Sequence, residues 1–526
     1  MMVYVTKGTG SLKGTCPAPG EVRISACDGK PRWQSMTELA SMRMMGRGRG
    51  RPVGPIHREE PETLPLGWMF AFCGIAYLGI YAVEAPIRYL LYLHGRDNVI
   101  LLRDALISGP LVVLCASHVL RLRIDPAFVA FGVLVLFHGL VLIGTVGSVT
   151  GVAYGIKIIV NALFGYFVAS LLLVPGRRGL MFLGVIWLVT LVGVTLDKFL
   201  VTFPWLGIKT VVGDLTVDVS KDWQIQAELS RRVAGFARSS ISIAALLPPL
   251  TIVLMCRARH MATRLGLAAI SVGSVFLTTQ KGSFIAFAPV AAILAARPGR
   301  QMLLLRLAVL IFASLTIGLP ILTSGLHLSH GSGVFSTESL YLRISETWPD
   351  AWRWIFSHQM LVFGVGLGGI GGAQRIYAPA SFNPADNFFI LTYAYFGAFA
   401  IFYMAFIGFL ALRPITGSEE RAVPGIAIVA FLCGYGTVLS VIEDQSAALF
   451  LGAALGVLAR ETRVGEACLG SRVKSAQSPR SNTPAIAISS RRLLALSAGL
   501  LDGAGSCRRP YMLRSIAAAC SFGQSM

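Results

Sequence analysis

The feature that most constrains this chain is a series of unbroken apolar blocks. Each is roughly 16 to 25 residues long, enough to cross a hydrocarbon core of about 30 Å. Within lipid only helices or closed barrels satisfy every backbone amide and carbonyl. The blocks are continuous rather than alternating, which selects helices over barrel strands. They fall at about 65–83, 99–119, 127–146, 152–174, 179–196, 239–255, 265–278, 283–296, 302–321, 387–410, 422–439 and 446–459. The expected fold is an all-α integral membrane protein with about 12 transmembrane helices in a membrane domain at 65–460. Only 14% of residues are charged against 54% hydrophobic, whereas soluble domains carry nearer a quarter charged.

The formal charge of +20 invites a nucleic-acid reading. The distribution of that charge argues against it, and no nucleic-acid partner is expected. Lys and Arg concentrate in the tails and in alternate short loops, at Arg121 and Arg123, Arg177 and Arg178, Arg257 and Arg259, Arg297 and Arg300, and Arg413 and Arg421. This is the positive-inside pattern, and it puts both termini in the cytoplasm. The tails 1–64 and 461–526 are basic and lack apolar periodicity, so they are expected to be disordered. Nine cysteines are scattered without a C-x-x-C pair, and no zinc, redox or other cofactor motif is visible. Cys73, Cys115, Cys256 and Cys433 lie in apolar blocks and read as buried thiols.

Two long polar segments, 197–238 and 322–386, then share the outer side and are longer than connections require. In the second, Tyr341, Ile344, Trp348, Trp352 and Ile355 form one stripe at helical spacing. Pro349 should interrupt the helix, with Thr347 capping a fresh start. The stripe fits either a membrane interface or the top of the helix bundle. A glycine-rich run follows, with Gly364, Gly366 and Gly368 in a G-x-G-x-G turn. It also matches G-x-G-x-x-G, but no βαβ context supports a dinucleotide site. The turn instead lets helices or a lipid headgroup approach closely. Asp386-Asn387 then opens the next apolar block.

In this order these elements resemble the O-antigen polymerase and ligase family of bacterial surface polysaccharide assembly. Arg343 with Trp348 and Trp352, then Gly364-Val365-Gly366-Leu367-Gly368, then Asp386-Asn387, match the family's arginine-bearing amphipathic helix, glycine turn and paired polar residues. Upstream, Arg232-Val233-Ala234-Gly235-Phe236 resembles its R-x-x-G-F element. Thr278-Thr279-Gln280-Lys281-Gly282-Ser283 resembles its T-x-S-R-G-x segment, with Gln-Lys replacing Ser-Arg. The resemblance implies a C-type glycosyltransferase membrane fold in the bacterial inner membrane, its active site on the outer face. It implies polymerisation of polyprenyl-diphosphate-linked oligosaccharide units, alongside a chain-length regulator and export machinery, with no cofactor. The ligases typically carry a functional His where this chain has Asp386, which favours polymerase; His327, His330 and His358 lie off the motif.

That chemistry needs cations for the departing diphosphate and a base for the incoming hydroxyl. Arg232 and Arg343 are the candidates for the first and Asp386 for the second, although a helix N-cap also fits Asp386. Arg231, Arg238, Lys281, Gly364, Gly366, Gly368 and Asn387 are candidate substrate contacts, and no metal site is expected. Glu338 and Glu346 are weaker acids. Lys157 and Asn161 share a helix face; the ammonium fits near the diphosphate or an ion pair with Asp104 or Asp197. A ligase joining polysaccharide to a lipid core or protein, or a lipid-linked oligosaccharide flippase, are the competing readings. Charge concentrated in outer loops and no visible repeat weigh against a transporter.

Overall fold

The structure is a computed structural model and describes residues 64–120, 125–212, 215–221, 232–296, 300–323, 337–358, 361–415 and 418–476. Arg231, His327, His330 and most of the two tails lie outside the described residues. Apart from the start of the first helix, these residues belong to the unit Gly67–Met526.

The chain is predominantly helical. In order it forms α1 (Leu64–Ala82), α2 (Glu84–Leu93), α3 (Leu102–Leu120, entered through a 3-10 turn), α4 (Pro126–Val146), α5 (Val149–Leu173) and α6 (Arg177–Phe199). Strands β1 (Lys209–Val212) and β2 (Leu215–Asp218) precede α7 (Ser240–Arg257), α8 (Met261–Leu277), α9 (Lys281–Ala295) and α10 (Gln301–Leu322). Then come α11 (Glu338–Leu342), a π-turn at Arg343–Thr347, α12 (Trp348–Ser357) and α13 (Gln374–Tyr377). Last are α14 (Phe388–Phe396), α15 (Phe399–Leu412), α16 (Glu419–Tyr435) and α17 (Gln445–Ala476).

Each apolar block coincides with a helix or a helix pair. Among the described residues six helices are long and apolar enough to cross a membrane, or seven if α1 and α2, bent by 75° at Val83, form one broken span. Large apolar side chains cover the outer surface: Val133, Leu136 and Leu140 on α4 and Ile401, Phe402 and Phe406 on α15 are all more than half exposed. Water does not tolerate such a belt and lipid does, so the protein is membrane-embedded. α16 is apolar on every side and buried without a break from Pro424 to Tyr435, the mark of a central helix.

The tightest seam joins α5 to α17. Gly452 and Gly456 form a G-x-x-x-G pair, and Gly165 faces them; a Cβ at Gly452 would run into the Ala162 carbonyl and one at Gly456 into that of Tyr166. Small residues at this spacing let backbones touch, which is how helices gain packing inside lipid.

Several local expectations are corrected. The tenth block is two helices broken at Gly397, which has φ +57°. The segment 197–238 holds a hairpin, with Lys209 opposite Asp218 and Val212 opposite Leu215. Its alternating Val-Thr pattern around Gly213-Asp214 was a legible strand signal. Helix α17 continues through 461–476, beyond the last apolar block. Thr347 is helical and caps nothing, because the π-turn before Pro349 lets the helix run on without a fresh start. Of the aromatic stripe, Ile344, Trp348 and Ile355 are buried, so this face packs on the bundle. Cys115 faces outward rather than inward, and Cys433 alone of the four is buried.

The helix ends sort by chemistry. At one end, Gln280 donates to Ser240 (2.9 Å), Tyr81 to Asp444 (2.6 Å) and the Gly372 amide to Glu443 (2.6 Å). At the other, Arg257 lies 3.8 Å from Glu420, Arg306 donates to the Arg413 carbonyl (2.9 Å) and Arg421 lies 3.9 Å from Glu461. The described residues of 197–238 and 337–386 belong to the first end.

Candidate functional site

The turn carrying Arg232 is built from its neighbours. Asp197 at the end of α6 accepts from the amides of Ala234 (3.1 Å) and Gly235 (2.9 Å). Gly235 has φ +56°, and a Cβ there would come within 2.6 Å of the Gly193 carbonyl carbon, so only glycine lets the turn lie on α6. Phe236 enters an aromatic cluster with Phe203 and Trp205, packed against Ala85 of α2 and Val219 beyond β2. Gly and Phe of the R-x-x-G-F element are thus anchors that fix Arg232 beside them. A cleft of about 580 Å³, lined by residues 197–202 and Val233, opens next to this turn.

Arg343 sits in the π-turn. One terminal nitrogen donates to the Ser339 carbonyl (2.9 Å) and to the Ser339 hydroxyl, and the other lies 3.2 Å from Asp386. Its Nε is buried without a partner among the described residues. Asp386 reaches it from a left-handed backbone, φ +45°, preceded by Ala385 at +59°. Such conformations persist only where surroundings enforce them; here Asn383 Oδ1 accepts from the Ala385 amide (2.7 Å).

Arg232 joins this pair. It is half-buried, and no carboxylate stands within ion-pair distance of it among the described residues. Burial, then the nearby charge of Arg343, hold its pKa below the ordinary arginine value, with Asp386 partly offsetting them. The charge of Arg232 also reaches Lys281. Arg232, Arg343, Asp386 and Lys281 therefore gather from four separate segments.

The other candidates fall elsewhere. Asn387, not Asp386, caps α14: its Oδ1 accepts from the Ile390 amide (2.9 Å), and its Nδ2 donates to the carbonyls of Thr316 and Thr437 (both 3.1 Å). It is fully engaged within the protein. Gly364, Gly366 and Gly368 all have positive φ and are buried. A Cβ at Gly364 would meet the Ala394 carbonyl oxygen at 2.6 Å, one at Gly366 the Leu142 Cα at 2.6 Å, and one at Gly368 the Gly151 carbonyl. Helices α4, α5 and α14 fill the space these glycines leave, so of the two uses of the turn the structure shows helix approach. Lys157 pairs with Asp104 (2.7 Å).

Arg238 belongs to a second charged group, around Glu84. Glu84 is held by Arg88 (2.7 Å) and Arg103 (2.6 Å). Arg238 donates through Nε to the Asp218 carbonyl (3.3 Å), and burial followed by the charge of Arg88 lowers its pKa.

Between the two groups lies Glu443, in the short link between the apolar blocks 422–439 and 446–459 and part of no motif. One oxygen accepts from the Gly372 amide (2.6 Å), and the side chain lies so close to Gly371, at φ +76°, that no Cβ fits there. Burial raises its pKa to about 7, the Gly372 hydrogen bond opposing, and the charges of Asp386, Arg375 and Lys221 all reach it. An acidic pair, Glu443-Asp444, set between apolar blocks was the available signal, since carboxylates at such places are costly and kept for a use.

Among the described residues no three His, Cys, Asp or Glu side chains are grouped to hold a metal ion. No family model and no curated protein matches the chain.

Proposed function

We propose that this protein is a membrane glycosyltransferase of the polysaccharide-polymerase kind, using a polyprenyl-diphosphate-linked donor. The observation that carries this reading is the convergence of Arg232 and Arg343, from segments far apart in sequence: the charge of Arg343 reaches Arg232, and Asp386, whose charge reaches Arg232 too, is the one carboxylate paired with Arg343 among the described residues. Two guanidinium groups short of carboxylate suit a diphosphate, whose oxygens match their planar forks. The same reading takes all twelve blocks as membrane-crossing segments of a C-type glycosyltransferase fold in a bacterial plasma membrane, with both termini cytoplasmic and the site on the outer face. The collection of the basic loops at the opposite end of the bundle supports this orientation.

In this scheme the donor's anomeric carbon–oxygen bond breaks and the electron pair leaves with the diphosphate, whose growing charge Arg232 and Arg343 stabilise. The acceptor hydroxyl oxygen forms the new bond to that carbon and gives its proton to a carboxylate. Asp386 is committed to Arg343 and is better suited to aiming it. Glu443 has an oxygen to spare and a pKa matched to neutral pH, so the base role falls to it. The second reading, a ligase using a loop histidine, is less favoured because His358 is engaged with the Trp354 carbonyl (2.8 Å).

The test is polymer length and yield in a strain lacking the protein and carrying variants at matched membrane levels. Arg232→Ala and Arg343→Ala should each lower transfer by about 10²-fold or more, leaving single repeat units. Arg→Lys at either position should be impaired too, since the fork is lost. Normal polymer from both alanine variants would overturn the assignment.

A further inference from the structure

The cations of the second group are more numerous than the carboxylates near them. Glu84 is occupied by Arg88 and Arg103, and Asp104 by Lys157 and Arg103. That leaves Lys221, Arg238 and Arg375 without a carboxylate at ion-pair distance among the described residues. Lys221 lies in the field of the other two. Lys221 is tied to Arg238 through its backbone amide (2.8 Å to the Arg238 carbonyl), and the charges of both Arg238 and Arg375 act on its ammonium. Burial first, and those two charges next, depress the Lys221 pKa to about 8, with the charges of Asp218 and Glu84 only partly opposing them. Lys221 and Arg238 are half-buried, while Arg375 is exposed and lies over the Phe382 ring at 4.1 Å.

Like charges are not gathered and partly desolvated without a counter-ion at no cost. The arrangement is also braced. The aromatic cluster under Phe236 and the hairpin hold Lys221 and Arg238, and Tyr154 of α5, against Gly372, closes the side toward Glu443. The group is thus separate from Arg232 and Arg343, and Glu443 stands between the two.

We propose that Lys221, Arg238 and Arg375 form an oxyanion subsite that takes a carboxylate or phosphate of the second, incoming saccharide substrate. This rests on the glycosyl-transfer reading and sharpens it. With the donor diphosphate at Arg232 and Arg343 and the base at Glu443, an anion held on the far side of Glu443 positions the acceptor hydroxyl between them. Two sources share this chemistry, a uronate sugar in the repeat unit and the diphosphate of the acceptor's own carrier lipid.

The experiment measures the thermal unfolding midpoint of the full chain in neutral lipid nanodiscs at low ionic strength. The probes are glucuronic acid, inorganic diphosphate and glucose. A bound oxyanion should raise the midpoint saturably by about 3 °C, and glucose should not. In a background carrying Arg232→Ala and Arg343→Ala, which removes the other anion site, the shift should be retained, and adding Lys221→Gln or Arg238→Gln to that background should abolish it. A Lys221-dependent shift with glucuronic acid assigns the site to an acidic sugar; one with diphosphate alone assigns it to the carrier headgroup. No shift that depends on Lys221 with either anion overturns the proposal. Polymer formation is scored separately: loss of the shift with polymerisation intact removes only the subsite, and a Lys221-dependent shift in a protein that makes no polymer keeps the subsite and removes the transferase reading.

Discussion

At the scale of single residues, Glu443 and Asp386 are carboxylates in different circumstances, and each gives a measurable consequence. Burial lifts Glu443 from the ordinary 4.5 to about 7. Between those values the folded protein holds more protons than the unfolded chain. Stability therefore falls as pH rises through about 4.5 to 7, and the penalty is complete above 7. Glu443→Gln removes the ionisable group. Its unfolding midpoint should exceed that of the parent at pH 8 and equal it at pH 4, and its transferase activity should be lost at pH 8, where the parent carboxyl is ionised. An unchanged midpoint at pH 8 would show that the carboxyl is not held in a desolvated place. Asp386→Asn keeps a residue that tolerates the left-handed backbone and leaves the Asn387 cap untouched, but it removes the charge bonded to Arg343. This variant should fold at parental levels and lose most of its activity, the comparison being membrane abundance against polymer yield. Its full activity would leave the ion pair without a functional role.

Between elements, shape complementarity decides more than hydropathy. The α5–α17 seam depends on Gly165, Gly452 and Gly456, where backbone meets backbone. Gly452→Ala forces these helices apart and should destabilise by about 1–3 kcal/mol, the usual range for overpacking. Gly132→Ala, where nothing lies within 4 Å, should be neutral. Thermal unfolding in one detergent compares the two, and equal midpoints would remove the seam's claimed importance. The π-turn at Arg343–Thr347 is a similar local decision. It absorbs Pro349 and places Arg343 beside Asp386, whereas the sequence alone pointed to a broken helix with a new cap at Thr347. Hydrophobic periodicity reports a face and not the width of a single turn. The hairpin was legible from Gly213-Asp214 between alternating residues, though its strands of four residues are a far weaker signal than the apolar blocks around them.

For the whole molecule, the two-ended sorting of charge makes a topology that can be measured. Single cysteines at Thr216 and Ser381, both exposed at the site end, should react with an impermeant thiol reagent in intact cells once the nine native cysteines are replaced. A cysteine at Ser418, exposed at the opposite end, should react only after lysis. The reverse pattern would invert the orientation and with it the compartment of the site.

What the sequence determined by itself is the class, and the order and approximate bounds of the apolar helices. The reason is local: the length of an apolar run against bilayer thickness, and the exclusion of unpaired backbone from lipid, can be read along the chain. It also marked Arg232, Arg343 and Asp386 individually, through motif order. Only the tertiary structure decided that these three meet and that Asn387 rather than Asp386 caps α14. It alone showed that the glycine turn is filled by helices α4, α5 and α14, and that Glu443 stands between two cation groups. Those outcomes depend on which helices are neighbours. Close backbone approach at Gly165, Gly235 and Gly452 sets that, and such a fit belongs to two surfaces at once rather than to any stretch of the chain.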